Sequence, residues 1–342
     1  MKVLHLDSGI VFRGGQRQSL TLHDGLIKRG VSSFLLCDKK SEAYSISEKN
    51  GLKNIIGKKI NFFSLLSYCH KIKPDIVHFH DSNSLKSFVP YMKPPFKTVE
   101  TRRVAYPISF LSRFYKYSKI DAHVGVSIEI KDYLLKYFKS VYTINSCIEL
   151  NRFDKKFKNN PYPISNSKDI LFVGAFSKQK GIDILIKSFK RICNDISNLA
   201  LHLVGTGDLY GDIEKEVMIS GISDKIFFYG FKNNVEDFYH FCDLVVVPSV
   251  DGEGSSGVIK EGMAAGKIVL ASDLEANKEI IEDNINGSIF QAGSDTALYK
   301  KFYDVLSGCH KLDIEKVLNR AKDFGCNEMV EKYLSLYEKL LG

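Results

Sequence analysis

Short apolar, β-branched runs alternate with helix-patterned stretches along almost the whole chain. This alternation restricts the fold more than any single motif does. In the front half, 2–6, 33–37, 75–79 and 122–126 read as strands, and 19–28 reads as a helix ended by Gly30. The pattern then restarts. Residues 170–173, 201–204, 226–229, 244–247 and 268–271 read as strands, separated by helical stretches at 182–193, 211–220, 234–241 and 257–265. Strands joined through helices run parallel and are covered on both faces. The pattern therefore predicts an α/β chain of two doubly wound domains with a cleft between them. The interruption, KNNPYPISNSK at 158–168, has the Asn, Pro and Ser content of a linker. The expected domains are 1–165 and 166–326. A final amphipathic helix is expected over 327–342, where Met329, Val330, Tyr333, Leu336, Tyr337 and Leu340 recur at helical spacing.

A chain of 342 residues, 44% hydrophobic and 26% charged, has material for two cores. Asp7 interrupts the first apolar stretch, so no secretory leader is expected. The uncharged apolar run at 60–69 is half of the roughly 20 residues that span a bilayer. Seven cysteines without a C-x-x-C pair point to reduced thiols in a cytoplasm, with neither a disulfide frame nor a zinc site. The net charge of +8 is unevenly spread. Residues 1–165 hold 28 basic and 13 acidic side chains, and residues 166–342 hold 20 and 27. A front half this basic suits an anionic membrane face, a nucleic acid or an anionic substrate, although a simple Lys-rich composition also accounts for it.

The stretch LVVVPSVDGEGSSGVIKEGMAAG, 244–266, carries the most chemical information. A strand ends at Pro248, a loop of small residues follows (Gly252, Gly254, Ser255, Ser256, Gly257), and a helix begins near Val258. Small residues let the backbone approach a ligand, and free N–H groups at a helix start favour phosphate. Glu253 and Glu261 flank the turn, and a carboxylate within the helix can accept two hydrogen bonds from a vicinal diol. A capped helix with a solvated Glu261 explains the same residues. A second loop, VGAFSKQKG at 173–181, places Gly174, Lys178 and Lys180 at the same expected sheet edge, where lysine acts as a point charge for phosphate. VGTGDLYG at 204–211, with Gly205, reads as a further strand-end turn. In the front half, Gly14 and Gly15 precede a helix. His78 and His80 share one strand face in VHFHD. Arg102 and Arg103 follow another strand-like stretch.

Together these segments resemble a family 4 glycosyltransferase of the GT-B fold. The likeness covers nearly the whole chain. It rests on Glu253-x7-Glu261 with GMAAG, on VGAFSKQKG and VGTGDL, on the YGF of 229–231, on DNINGSIF at 283–290, and on GGQRQSL, PDIVHFHD and VGVSIEIKDYL in the front half. The resemblance implies two Rossmann-like domains facing across a cleft and a nucleotide-sugar donor held mainly by the second. It implies a glycan or lipid-linked acceptor, retention of anomeric configuration, and a role in cell-surface polysaccharide or lipopolysaccharide synthesis. Carried over, Glu261 grips the ribose; Gly254, Ser255, Ser256, Gly257, Val258 and Lys180 hold the diphosphate; Glu253 contacts the sugar. Gly174, Gly205 and Phe231 line the donor, Gly15 approaches it from the first domain, and His80 joins Glu253 and Lys180 as a catalytic group. Ala175 stands where the family often has Arg, Ser255-Ser256 where it often has Phe-Gly, and Glu100-Thr101 where it often has a histidine.

No cofactor is expected. Helix dipole and lysine can replace a divalent cation, and no D-x-D pair stands at a strand end, so metal independence is expected. The first βα turn lacks G-x-G-x-x-G, which excludes a dinucleotide dehydrogenase. A nucleotide-sugar epimerase of the same fold is the closest rival. A nucleic-acid-binding protein fits less well, because aromatic and basic residues are not interleaved in one module. The expected location is cytoplasmic, peripheral at the inner membrane face.

Overall fold

The computed structural model describes residues 1–88, 95–104, 106–154, 160–163, 166–308 and 312–342. Cys309 and four residues of the expected linker (158, 159, 164 and 165) lie outside the described residues; Cys37, Cys69, Cys193 and Cys242 are free thiols. The chain forms two compact units, Met1–Cys147 with Gly325–Gly342, and Ile148–Phe324. The first contains a seven-stranded sheet: β1 (Lys2–Asp7), β2 (Ser32–Cys37), β3 (Ile55–Gly57), β4 (Ile76–Phe79), β5 (Lys97–Arg102), β6 (Ala122–Gly125) and β7 (Val141–Thr143). Their order is β3-β2-β1-β4-β5-β6-β7. The second contains β8 (Lys168–Val173), β9 (Leu199–Val204), β10 (Ile226–Gly230), β11 (Leu244–Val247), β12 (Ile268–Ser272) and β13 (Ser288–Phe290), ordered β10-β9-β8-β11-β12-β13.

Neighbouring strands pair in parallel, β1 with β2 and β4, and β8 with β9 and β11. Each sheet reverses its winding direction once, between β1 and β4 and between β8 and β11. In such sheets ligands sit beyond the carboxyl ends of the strands at the reversal. The fold is the expected one of two doubly wound α/β domains. The second core is apolar on both faces: Ile170, Phe172, Leu201, Leu203, Val246 and Leu270 meet Leu185, Ile186 and Phe189 of the helix Ile182–Ile192 on one, and Leu171, Val245, Val247 and Val269 cluster with Ile259 and Met263 on the other.

Two expectations shift. The units divide at Cys147/Ile148, not at residue 165, because the segment after 147 is already held by the second unit. The Ile148 amide donates to the Phe324 carbonyl at 2.9 Å, and Arg152 Nε donates to Glu236 at 2.5 Å. No change of periodicity marks that point. The first helix is Gly14–Lys28, so Gly14 and Gly15 form its first turn and not a loop ahead of it.

The last helix, Cys326–Leu341, belongs to the first unit. Its buried stripe of Met329, Val330, Tyr333, Leu336 and Tyr337 packs into the cluster of Val3, Leu22, Leu26, Ile76 and Val99. Each such side chain contributes about 1.5–3 kcal/mol on burial. Polar atoms fix the register: Tyr337 Oη lies 2.6 Å from His78 Nδ1, and Arg29 Nε donates to Glu331 at 2.5 Å. The closest approach is at Gly25, where an added Cβ would stand 2.5 Å from Val330 Cγ2. Gly25→Ala is expected to cost about 1–3 kcal/mol through overpacking. Val330→Ala should restore part of that loss, although it removes buried methyls by itself. Chemical denaturation of the two single variants and the double variant checks this; simply additive losses would show that this contact does not limit the packing.

Candidate active site

At the carboxyl edge of the second sheet, the loops after β8, β9, β10 and β11 are tied to one another by backbone. Gly174 N donates to Val204 O, Gly205 N to Gly230 O, Phe176 N to Thr206 O, and Val250 N to Gln179 O, at 2.9–3.0 Å. Gly205 has φ +142°, and a Cβ there would collide with the Gly174 carbonyl oxygen. Gly181 has φ +64°, and its Cβ would collide with the Pro248 carbonyl. Only glycine tolerates both the dihedral and the approach at these two positions. The turn Lys178–Lys180 is thereby pressed onto the end of β11.

That contact brings Lys180 to Glu253. Lys180 Nζ donates to Glu253 Oε1 at 2.5 Å, and Ser249 Oγ donates to the same oxygen at 2.5 Å. The Glu253 side chain is only 8% exposed, whereas Lys180 is 30% exposed and open to a further partner. Directly after Glu253, the helix Gly257–Ala264 begins at the Ser256 N-cap. The Ser256 side chain makes no capping hydrogen bond, and no acidic residue occupies the first turn. Its leading amides therefore remain for an anion. Lys260 is fully buried in this helix, donates to Ser255 Oγ, and lies 4.7 Å from the Phe324 ring centre.

Glu261 sits one turn in. Tyr239 Oη donates to Glu261 Oε2 at 3.0 Å, and Arg152 Nη1 lies 3.7 Å from Oε1. Burial, and then the Glu261 charge, push the Tyr239 phenol well above its ordinary range, so it remains a donor. Burial opposes ionisation of Glu236, but the Arg152 hydrogen bond and charge hold its carboxyl below the usual range. Arg152 thus bridges two carboxylates and steadies the one facing the loop.

The structure brings Gly174, Lys180, Gly205, Glu253, Gly254–Val258 and Glu261 to one edge of one sheet. Phe231 follows β10 and is 73% exposed. Sequence reasoning missed Arg152, Tyr239 and Glu236, which carry no local spacing signal. It also missed Lys260, which lies in plain view inside GVIKEGM.

Gly15 and His80 belong to the first unit. His80 is buried, and both ring nitrogens are engaged. Arg103 Nη2 lies 3.4 Å from His80 Nδ1, and His80 Nε2 lies 2.9 Å from His5 Nδ1. A guanidinium only donates, so His80 carries its proton on Nε2 and gives it to His5. His5 Nε2 is left buried without a hydrogen-bond partner among the described residues. His78 Nδ1 and Nε2 meet Tyr337 and Thr101. His5, His78 and His80 offer ring nitrogens within 4.8 Å of one another, the spacing of a metal cage. Their lone pairs, however, are spent in this chain, and the group beyond His80 is a cation where a ligating histidine has a carboxylate or carbonyl. The more exposed end of the chain is Arg103, beside Gly15: a Cβ on Gly15 would stand 3.4 Å from Arg103 Cδ. His80 is therefore held between Arg103 and His5, away from solvent.

Residues 154–317 match the glycosyl transferases group 1 family. The chain is a glycosyltransferase. An uncharacterized glycosyltransferase of Methanocaldococcus jannaschii is 27% identical over 99% of both chains. The lipopolysaccharide 1,2-N-acetylglucosaminetransferase of Salmonella typhimurium is 35% identical over 34% of this chain and 33% of its own. Among solved structures, Anabaena HepE in complex with UDP superposes with a TM-score of 0.82 at 16% identity, covering 99% of this chain and 100% of that one. Its UDP-glucose complex gives 0.80 with the same identity and coverage. The glycosyltransferase thus has the GT-B fold.

The buried imidazoles give the first unit of this glycosyltransferase a pH signature. Burial, followed by neighbouring charges, holds His5, His78 and His80 well below their ordinary value of 6.5. In the unfolded chain they take up protons below about pH 6.5. The unfolded state then binds more protons, so stability falls as pH drops and is level above. Each histidine contributes about 1.4 kcal/mol per pH unit. The thermal midpoint of the first unit should be flat from pH 8 to 7 and drop between 6.5 and 5.5. A flat profile down to 5.5 would contradict the buried neutral chain.

Proposed function

We propose that this glycosyltransferase is a retaining family 4 enzyme. It moves a sugar from a nucleoside-diphosphate sugar to a hydroxyl of a glycan or lipid-linked acceptor, in the synthesis of cell-surface polysaccharide or lipopolysaccharide. The observation that carries the reading is the uncapped start of the Gly257 helix, set beside Lys180, Glu253 and Glu261 on one sheet edge. The UDP and UDP-glucose complexes of HepE and the Salmonella transferase support the donor class and the pathway.

In the reaction the bond from the anomeric carbon to the diphosphate oxygen breaks. A bond to the acceptor oxygen forms, and the acceptor proton passes to the departing diphosphate oxygen. Negative charge grows on the departing diphosphate. The amides of Gly257 and Val258 and the ammonium of Lys180 meet that charge without reorganising, which is where a site of this kind lowers the barrier. Lys180 holds Glu253 in place until phosphate competes for it. Glu261, steadied by Tyr239 and Arg152, accepts from the ribose diol. These groups supply the positive potential locally, so the transfer requires no divalent metal and no cofactor. The basic first half brings the enzyme to an anionic membrane face on the cytoplasmic side.

Lys180→Ala should lower turnover about 10²–10³-fold. Glu253→Gln, which releases Lys180, separates loss of the cation from loss of the ion pair. Turnover of Lys180→Ala close to the parent's would remove Lys180 from the chemistry. Glu261→Gln retains the Tyr239 contact and should weaken UDP binding about 10–100-fold by calorimetry, with the melting temperature unchanged. Unaltered affinity would dismiss its ribose role. Activity should persist in EDTA; its loss there and recovery with Mn²⁺ would overturn metal independence.

A further inference from the structure

The first unit carries a helix that joins no core. Phe110–Tyr115 has no buried residue. Phe110 is 72% exposed, and Leu111 and Phe114 are each 65% exposed. Tyr106 and Tyr115 beside them are exposed as well. A soluble surface carries single apolar side chains, but a contiguous aromatic patch marks an interaction site. The patch is also fastened in place. The Ile108 amide donates to Tyr133 Oη at 2.6 Å, and the Arg113 guanidinium lies 5.8 Å from the Phe110 ring centre and 4.1 Å from that of Tyr137.

The charges around this helix select among partners. Between residues 101 and 120 stand Arg102, Arg103, Arg113, Lys116 and Lys119, and not one Asp, Glu, Asn or Gln. A sugar-stacking platform needs carboxylate or amide neighbours to hold hydroxyls, and this stretch supplies none. Exposed phenylalanine and leucine on a stretch whose own charged side chains are all cationic match the boundary of a bilayer that contains anionic lipid. No helix among the described residues is long and apolar enough to cross a membrane, so contact through this patch is from one side only.

We propose that the segment 106–119 is the element that lays the enzyme on an anionic lipid bilayer. Phe110, Leu111 and Phe114 enter the boundary between headgroups and acyl chains, and Arg113, Lys116 and Lys119 meet lipid phosphates. This inference rests on the peripheral location read above and assigns it to one element.

The test is co-sedimentation of the full chain with vesicles of phosphatidylcholine, with and without phosphatidylglycerol. The parent should bind only the phosphatidylglycerol vesicles and be released by high salt, as screening requires. Lys116→Ala and Lys119→Ala should each weaken partition about fivefold. Phe110→Ser with Phe114→Ser should weaken it at least tenfold. Because none of this helix is buried, melting temperature and UDP affinity should remain those of the parent. Absence of parental binding, or equal binding to pure phosphatidylcholine, would defeat the peripheral reading and this inference together. Parental-level binding by the double Phe variant would overturn this inference alone. Loss of binding to a soluble glycan in that variant, with vesicle binding intact, would assign the helix to sugar instead.

Discussion

The candidate site depends on two places where backbone meets backbone without room for a side chain. Gly205 lies against the Gly174 carbonyl and Gly181 against the Pro248 carbonyl, both at positive φ. These approaches hold the turn of Lys178–Lys180 against the end of β11. Without them Lys180 has no fixed relation to Glu253, whose loop belongs to a strand 71 positions later (Leu244 against Val173). The catalytic chemistry proposed here therefore begins with steric permission and only then becomes electrostatic. An ammonium and a nearly buried carboxylate 2.5 Å apart are useful because the main chain beneath them does not yield.

The first unit solves a different problem. Its central strands carry His5, Asp7, His78, His80, Glu100 and Thr101 inward, where a parallel sheet is ordinarily apolar. Each needs a partner, since an unpaired buried polar group costs about 1–3 kcal/mol. The last helix supplies two phenols, Tyr337 to His78 and Tyr333 to Thr101. The C-terminal segment is thus both an apolar cover and the completion of a polar network. That explains why its stripe mixes tyrosine with leucine and methionine.

Both sheets were legible from their short apolar runs, because a strand buried on two faces is ordinarily rich in apolar residues. β11 was read at its observed bounds, and the turn from Glu253 to Glu261 was read as strand, loop and helix. The three-residue strands β3 and β7 were not, being too short to show a period. Residues whose meaning lies in a distant partner also escaped. Arg152 finds Glu236 at a separation of 84, and His5 finds His80 at a separation of 75, through the pairing of β1 with β4. His80 was visible as a histidine at a strand end, but its direction of action was not. Only the donor at its Nδ1, Arg103, decides which nitrogen holds the proton.

Charge divides the chain in a way that follows from these sites. Residues 166–342 are net acidic, yet in the proposed reading they hold an anionic donor. A long-range field cannot supply that attraction, since it has the wrong sign and decays within about 8–10 Å at physiological salt. The attraction has to be made at contact distance, by uncapped amides and one lysine, where screening is weak. In the same proposed reading, residues 1–165 have the opposite task. An extended anionic surface is sensed by many cations at once, and no single one needs a fixed geometry. A precise cation in an acidic half and a diffuse cationic field in the other are therefore two answers to two sizes of anion.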